Sequence, residues 1–292
     1  MPGKWIDVKL YVITGRSGSG KSTVLHALED GGFKSIDNFP VPLIVQLVED
    51  CVSRDSQANI AVSVDARSPT SDLTQLPKIL NDISSEHFRP RLVFLDATSA
   101  VLVKRFDETR RRHPLERVGV DLRQAIESES KVLAHLAEVA DLQIDTTELT
   151  MHDLVNVTKE RLIESSNQQL SLLFRSFAYR KGVPVDADFV FDLRCLPNPH
   201  WVSELRALSG RDRSVQEFFE EHDTVEQLYQ QIVDLLTSWL PLFEQQNTAY
   251  LTVALGCTGG RHRSVYMAER LAETFKSTYP HVLIRHRDYG NS

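Results

Sequence analysis

The sequence predicts an α/β protein of two domains, with a parallel sheet in the first. Its 292 residues exceed the usual size of a single domain. Apolar strand-like segments alternate with amphipathic helix-like segments, which is the pattern of a parallel sheet covered by helices. A polar stretch over 164–169 interrupts this alternation and is the best linker candidate. We therefore expect an N-terminal domain over 1–165 and a smaller α/β domain over 170–292.

The first half alternates strands and helices in a regular way. The spacing of apolar residues predicts strands over 9–14, 33–36, 59–65 and 91–96. It predicts helices over 22–30, 41–51, 73–84 and 122–140, with a further strand and a closing helix within 142–163. Together these segments make one complete α/β unit.

The alternation restarts after the linker. Strands are predicted over 170–179, 188–194, 250–255 and 281–285, and helices over 224–243 and 264–278. The longer helix is predicted to be amphipathic, and the residues on its apolar face are Val225, Leu228, Ile232, Leu235 and Trp239.

Composition excludes several classes of protein. With 41% hydrophobic and 25% charged residues the chain is an ordinary globular protein. It has no apolar run of about 20 residues and no signal-peptide layout at its start, so we expect a cytoplasmic protein without a membrane partner. Its three cysteines, Cys51, Cys195 and Cys257, lack zinc-site spacing, and we expect neither disulfides nor a structural metal.

Residues 15–22, GRSGSGKS, match the P-loop pattern G-x-x-x-x-G-K-[ST] between a strand and a helix. Such a loop turns backbone N–H groups towards phosphates at the positive end of a helix, and its lysine reaches the terminal phosphates. The first domain is therefore predicted to be a P-loop NTPase or kinase-like domain that binds ATP or GTP. Its phosphate-binding residues are Gly15, Arg16, Ser17, Gly18, Ser19, Gly20, Lys21 and Ser22.

A P-loop site also needs a carboxylate near its metal ion. Asp96 ends an apolar strand and is the predicted partner of Ser22 in holding Mg²⁺, with a strand-end capping residue as the alternative. Arginines in the run 104–112 resemble the lid of small nucleotide kinases, although a solvated helix face explains any one of them equally well.

A second loop, GCTGGRHRS at 256–264, lies between a predicted strand and a predicted helix and carries Arg261 and Arg263. It is predicted to bind an anion. The spacing from Cys257 to Arg263 is also that of cysteine-dependent phosphatases, in which a thiolate attacks phosphorus. A buried structural cysteine is the alternative, and phosphate binding without chemistry is favoured because spacing identifies no general acid.

The charge is uneven along the chain. Residues 257–292 hold six Lys/Arg and three acids, a net +3, which leaves −10 for the rest of a chain whose total is −7. An anionic partner at the C-terminal end is therefore expected, with a solvated basic face as the alternative. The basic residues predicted to bind RNA are Arg261, Arg270, Lys276, Arg285 and Arg287.

Four segments together resemble the RapZ-type RNase adapter family over nearly the whole chain: GRSGSGKST at 15–23, the pair Asp37-Asn38, RFDETRRRHPL at 105–115 and GCTGGRHRS at 256–264. The resemblance implies a regulatory protein that binds small RNA, presents it to an RNase and senses an amino-sugar phosphate. It also implies a second guanine-nucleotide segment, and we expect a homo-oligomer. That segment comprises Asp65, Ala66, Arg67 and Ser68, where spacing alone favours an ordinary turn and where Ser68 departs from the family's asparagine.

The phosphosugar site that the resemblance implies comprises His200, Thr258, Gly259 and Arg263. On this interpretation the nucleotide is a ligand or is slowly hydrolysed. A small-molecule or nucleotide kinase is the main alternative, with the arginine-rich segment closing over two substrates. A cysteine phosphatase based on Cys257 is the third class.

Overall fold

The computed structural model describes residues 9–54, 59–84, 88–110, 112–116, 121–164, 170–246 and 248–289. Within it the chain divides into two compact units, with the boundary between residues 167 and 168. Arg111 of the arginine run and residues 165–169 of the predicted linker lie outside the described residues.

The N-terminal unit is built on a five-stranded parallel sheet. Its strands are β1 (Lys9–Gly15), β2 (Lys34–Ile36), β3 (Asn59–Ser63), β4 (Arg91–Asp96) and β5 (Leu142–Asp145). The strand order is β2-β3-β1-β4-β5, and every pairing is parallel. Because β1 lies at the centre, the loop that follows it opens between the carboxyl ends of β3 and β4.

Helices cover this sheet. They are α1 (Lys21–Asp30), α2 (Ile44–Arg54), α3 (Thr70–Ile83), α4 (Ser99–Thr109), α5 (Leu122–Glu138) and α6 (Met151–Thr158). A 3₁₀ turn over Val41–Leu43 precedes α2, and a π-helical turn over Lys159–Ile163 follows α6. The apolar sides of β1, β3, β4, α2, α3 and α5 pack into a buried cluster that includes Val12, Val62, Leu92, Leu76 and Leu133.

Two sequence-based expectations for this unit need correction. The helix predicted over 41–51 begins later than expected, because residues Val41–Leu43 form the 3₁₀ turn and the α-helix starts only at Ile44. The helices predicted from apolar spacing include none over 99–109, yet residues Ser99–Thr109 form α4. Its apolar contacts are Leu102 and Phe106, which pack on Ile126 of α5.

The C-terminal unit has a four-stranded parallel sheet of its own. Its strands are β6 (Ser171–Ala178), β7 (Phe189–Asp192), β8 (Tyr250–Cys257) and β9 (His281–His286). Their order is β7-β8-β6-β9. The α/β fold class predicted from the sequence is confirmed in both units.

Three helices pack on this second sheet: α7 (Arg213–Glu220), α8 (Asp223–Gln245) and α9 (Arg263–Lys276). Apolar spacing predicts only the two longer helices, α8 and α9, and not α7. The predicted apolar face of α8 is partly wrong, because Leu235 and Trp239 are exposed while Leu236 and Leu240 are buried. Core packing over 23 residues selects a slightly different stripe from the one that a fixed periodicity gives. No helix in the described ranges has the length and apolar character that a membrane span requires.

Candidate functional site

The P-loop is the sharp connection from β1 to α1. Gly15, Gly18 and Gly20 have φ of 133°, 84° and 105°, a region that residues with a side chain rarely adopt. Gly18 and Ser22 are exposed at the start of α1, where the first N–H groups of a helix have no acceptor within it. The loop therefore presents donors and the positive end of the helix dipole at one place.

Lys21 lies across the inside of this loop. Its Nζ donates hydrogen bonds to the carbonyl oxygens of Gly15 at 2.6 Å and Arg16 at 3.2 Å. Burial lowers the pKa of Lys21, and the charges of Glu129, Asp65 and Asp37 oppose that shift. Three carboxylates thus lie within electrostatic reach of the cation that a P-loop offers to terminal phosphates.

Arg16 and Asp96 form an ion pair beside the loop. Arg16 Nε donates to Asp96 Oδ1 at 2.6 Å, and the Ala97 N–H donates to the same oxygen at 2.8 Å. The guanidinium also contacts Ser99 Oγ and the Ala97 carbonyl. The Arg16 guanidinium is therefore hydrogen-bonded to groups of the protein itself. One oxygen of the predicted metal ligand Asp96 already balances this buried charge. The metal role of Asp96 stays a prediction.

Asp65 and Asp37 follow β3 and β2 at the same edge of the sheet. Asp65 is buried and accepts hydrogen bonds from Arg67, whose Nε lies 2.9 Å from Oδ2. Burial raises the pKa of Asp65, but the bonds from Arg67 and the charge of Lys21 outweigh burial and leave it lowered. Asp37 is exposed and contacts the Ser63 hydroxyl.

Position along the strands explains why Asp37 and Asp65 matter together. Both come after the carboxyl end of a strand, β3 being paired with β1 and β2 with β3, and ligands of parallel sheets bind at this edge. The remaining members of the predicted 65–68 segment form a turn, in which the Ser68 N–H donates to the Asp65 carbonyl at 3.0 Å and Ala66 is buried. Sequence reasoning missed the electrostatic link from these two carboxylates to Lys21.

Glu129 of α5 is a residue that sequence reasoning missed. Its carboxylate accepts hydrogen bonds from the Ser17 N–H at 2.8 Å and the Ser17 hydroxyl at 2.7 Å. His113 Nε2 lies 3.0 Å away, and both side chains are completely buried. The signal was present, because Glu129 falls three residues after Ile126 and four before Leu133 on the apolar face of α5.

The charge on Glu129 is stabilised by these contacts. Burial raises its pKa, but hydrogen bonds from His113 and Ser17 and the charge of Lys21 outweigh burial and leave the pKa lowered. The Leu115 N–H donates to His113 Nδ1 at 3.1 Å, so Nε2 carries the ring proton and donates it to Glu129.

Arg105 of α4 donates hydrogen bonds to the P-loop and to Thr146. Its NH1 donates to the Gly18 carbonyl and to Thr146 Oγ1, both at 3.0 Å, and Thr146 Oγ1 in turn donates to the Ser19 carbonyl at 2.9 Å. Lys104 pairs with Glu108 on the same exposed helix face. Of the arginine-rich segment, Arg105 and His113 thus reach the P-loop or its neighbours.

The second glycine-rich loop joins β8 to α9. Cys257 is buried, and its Sγ accepts the Gly260 N–H at 3.2 Å and lies 3.2 Å from Ser264 Oγ. Gly260 has φ 67°, which lets the chain close the turn. The loop therefore wraps around the cysteine sulfur at the N-terminus of a 14-residue helix.

The predicted phosphosugar residues lie along this loop. Arg263 is buried and donates from NH1 to the carbonyls of Arg194 at 3.0 Å and Leu196 at 3.1 Å, while NH2 lies 3.4 Å from Thr258 Oγ1. Within the described residues its Nε has no hydrogen-bond partner. Gly259 borders open space.

His200, the remaining predicted phosphosugar residue, is exposed in a 3₁₀ turn over Pro199–Trp201 and interacts electrostatically with His262. Sequence reasoning missed Asp192, whose charge interacts with Arg263, and Arg194, which lies over the Tyr179 ring at 3.9 Å. Asp192 and Arg194 lie near this loop because the parallel register places Asp192, at the end of β7, beside Gly256.

The basic residues of the C-terminal end are engaged within the unit. Arg270 pairs with Glu226 at 2.9 Å, Lys276 with Glu273 at 2.9 Å, and Arg287 with the carbonyls of Gly182 and Ala178. Arg261 donates to the Leu208 carbonyl at 2.9 Å, and Arg285 is half-buried in β9. Arg261 and Lys276 are the two of these five that are exposed.

Comparison with known proteins follows the same division of the chain. The model of a RapZ-like N-terminal domain matches residues 8–166, and that of a RapZ C-terminal domain matches residues 170–290. A nucleotide-binding protein of Pseudomonas fluorescens strain Pf0-1 is 46% identical over 283 residues, covering 96% of this chain and 99% of the relative. One from Nitrosococcus oceani is 48% identical over 281 residues, with the same coverage.

Among solved structures, shikimate kinase from Acinetobacter baumannii in complex with shikimate is 20% identical and covers 52% of this chain and 90% of that chain. Its TM-score of 0.34 is too low to support an argument about function. The two family models together span nearly the whole sequence, and the full-length relatives match both halves. The chain therefore belongs to the RapZ-like family of proteins.

Proposed function

We propose that this protein is a nucleotide-binding regulatory adapter whose P-loop holds the phosphates of ATP or GTP with Mg²⁺. The observation that carries the proposal is the turn from β1 to α1. Three glycines in this turn have positive φ, and Lys21 donates a hydrogen bond across the loop to the Gly15 carbonyl. Backbone donors, a helix N-terminus and a lysine are what a triphosphate requires. Relatives named nucleotide-binding proteins agree with it.

The test is Lys21→Ala, measured by calorimetry with Mg·ATP and with Mg·GTP. We expect no measurable binding, because the substitution removes the positive charge that the terminal phosphates would contact. Lys104→Ala is the matched control, since Lys104 is exposed and pairs with Glu108 of its own helix. Equal affinity in the wild type and a folded Lys21→Ala variant would refute the assignment.

We further propose that the loop from Gly256 to Ser264 binds the phosphate of a phosphosugar. Its support is Arg263, a buried guanidinium at the N-terminus of α9 that contacts Thr258 and has an unpartnered Nε among the described residues. His200 and Gly259 complete the site that the family resemblance implies. An amino-sugar phosphate is the expected ligand.

Thermal shift of the full chain with a panel of sugar phosphates tests this second site. Arg263→Lys should remove most of the stabilisation by the ligand, because a lysine cannot reproduce the planar donor set of arginine. Arg213→Ala is the control, since Arg213 is exposed and pairs with Glu217. A wild type that no sugar phosphate stabilises would contradict the proposal.

Small RNA and an RNase are the proposed macromolecular partners, on the basis of the family resemblance. The adapter, the kinase and the phosphatase predict different experimental results. A kinase would phosphorylate a small molecule at the expense of ATP, whereas an adapter copurifies with RNA and hydrolyses nucleotide slowly at most. A phosphatase would cleave an aryl phosphate and lose that activity in Cys257→Ser.

A further inference from the structure

Glu129 is a buried negative charge that the proposed function does not use. Its side chain has no exposed surface, and it bonds to Ser17 through both the backbone N–H and the hydroxyl. A buried carboxylate is retained only where its charge is balanced and its oxygens are bonded. Here the balance comes from a residue of the P-loop, from His113 and from the field of Lys21.

These partners are groups that a nucleotide would use. A P-loop binds anions with its backbone N–H groups and its lysine. In this structure Ser17 gives its N–H to a carboxylate, and Glu129 is the charged group that acts most strongly on Lys21. An anion of the protein itself therefore shares the donors and the cation of an anion-binding loop.

We propose that Glu129 is an internal ligand of the nucleotide-free P-loop, which the terminal phosphate of a bound nucleotide displaces from Ser17. The inference rests on the proposed nucleotide binding. Like charges beside one lysine repel each other, and the low dielectric of a buried site strengthens that repulsion. The intact Glu129 contact consequently lowers affinity for triphosphates.

The same contact connects the loop to the arginine-rich segment. His113 is held by Glu129 through Nε2, packs on Phe106 with ring centroids 5.1 Å apart, and receives the Leu115 N–H at Nδ1. When Glu129 leaves Ser17, His113 loses the fixed position of its buried acceptor. Residues 112–116 therefore change position or mobility when a nucleotide binds, and a partner that contacts them recognises that change.

Glu129→Gln tests the competition, because glutamine keeps the shape of the side chain and removes its charge. We expect the dissociation constant for Mg·ATP, measured by calorimetry, to fall about tenfold, since one competing charge beside Lys21 is lost. Glu127→Gln is the matched control, an exposed glutamate on the same helix. Equal or weaker binding by a folded Glu129→Gln protein overturns the proposal. Unchanged affinity with loss of hydrolysis also overturns it, since Glu129 would then act in catalysis.

Hydrogen exchange of the full chain tests the connection without nucleotide. Amides of residues 112–116 should exchange faster in Glu129→Gln than in the wild type, while Glu127→Gln matches the wild type. His113→Phe keeps the packing on Phe106 and should give the same acceleration, which covers the case of an unfolded Glu129 variant. Equal exchange in all proteins overturns the inference. If the wild type binds no nucleotide, the proposed function fails and the displacement step fails with it, whereas the exchange comparison still tests separately whether Glu129 holds residues 112–116.

Discussion

Arg16 and Asp96, eighty residues apart in sequence, form a direct ion pair with 2.6 Å between Nε and Oδ1. The arginine is nearly buried and the carboxylate is about one-third exposed, at 34%. The pair joins the second residue of the P-loop to the end of β4. It gives Asp96 a structural task at the position where the sequence suggests a metal ligand.

The first prediction separates that task from metal binding. Asp96→Asn should lower the free energy of unfolding by about 1–2 kcal/mol, because Arg16 loses its counter-charge. It should also raise the Mg²⁺ concentration that ATP binding requires, because Asp96 is the predicted partner of Ser22 in holding the ion. Asp65→Asn should leave that Mg²⁺ requirement unchanged, since both oxygens of Asp65 already accept hydrogen bonds from Arg67. Chemical denaturation and calorimetry at several Mg²⁺ concentrations measure both effects. A destabilised Asp96→Asn protein with an unchanged Mg²⁺ requirement would leave Asp96 with the structural task alone.

A second prediction concerns the glycine that starts the P-loop. A Cβ at Gly15 would overlap the Leu95 carbonyl oxygen of β4, and the residue has φ 133°. Gly15→Ala should therefore cost about 3 kcal/mol or more in the free energy of unfolding. Gly32 has φ 88° with open space around it, so Gly32→Ala should cost about 1 kcal/mol from backbone conformation alone. Denaturant titration compares the two, and similar costs would contradict the steric argument.

A third prediction is a loss of stability in mild acid. Burial lowers the pKa of His262 and of His286 in the folded protein, and the hydrogen bonds of each ring oppose this shift only in part. Between the folded pKa and the unfolded value of about 6.5, the unfolded state binds more protons, so stability is complete above about pH 6.5 and decreases as pH falls. Thermal unfolding of the full chain from pH 7.5 to 5 should show this decrease.

Substitutions identify the histidines responsible for it. His286→Gln should flatten the pH dependence below about pH 6.5, because glutamine keeps a bonding group and does not titrate. His26→Gln is the control, since His26 is highly exposed in α1. Burial raises the pKa of Glu269, but hydrogen bonds from His286 and Arg211 outweigh burial and leave this pKa lowered. Glu269 therefore contributes a further loss of stability only at lower pH. An unchanged slope in His286→Gln would exclude His286 as a cause.

A fourth prediction tests RNA binding at the basic C-terminal end. Lys276→Glu should weaken binding of structured RNAs several-fold at low salt and reduce the salt slope by about one, because RNA contacts of this kind are made to phosphates. Reversing Arg285 and Arg287 should cost affinity for many RNAs about equally, but Arg287 also holds two backbone carbonyls. Exposed Lys276 is therefore the cleaner site. Lys78→Glu, on the exposed side of α3, is the control for net charge. If the wild type shows no gel shift at low salt, the adapter role fails and the kinase alternative gains support.

The sequence by itself determined the features that depend on residues close together in the chain. Apolar spacing located the strands to within a residue or two at β1, β4 and β8, and the P-loop followed from eight consecutive residues. It could not give the pairing of Arg16 with Asp96 or of Ser17 with Glu129. Local patterns do not record which side chains meet across 80 or 112 residues.

Tertiary structure decided how those local elements are used. The order β2-β3-β1-β4-β5 brings Asp37 and Asp65 to the edge where Lys21 lies, and packing of α5 on the sheet buries Glu129 beside the loop. The same packing chose Leu236 and Leu240, and left Leu235 and Trp239 exposed on α8. A residue's burial and its electrostatic partners are set by the neighbouring elements, which only the folded arrangement of the chain specifies.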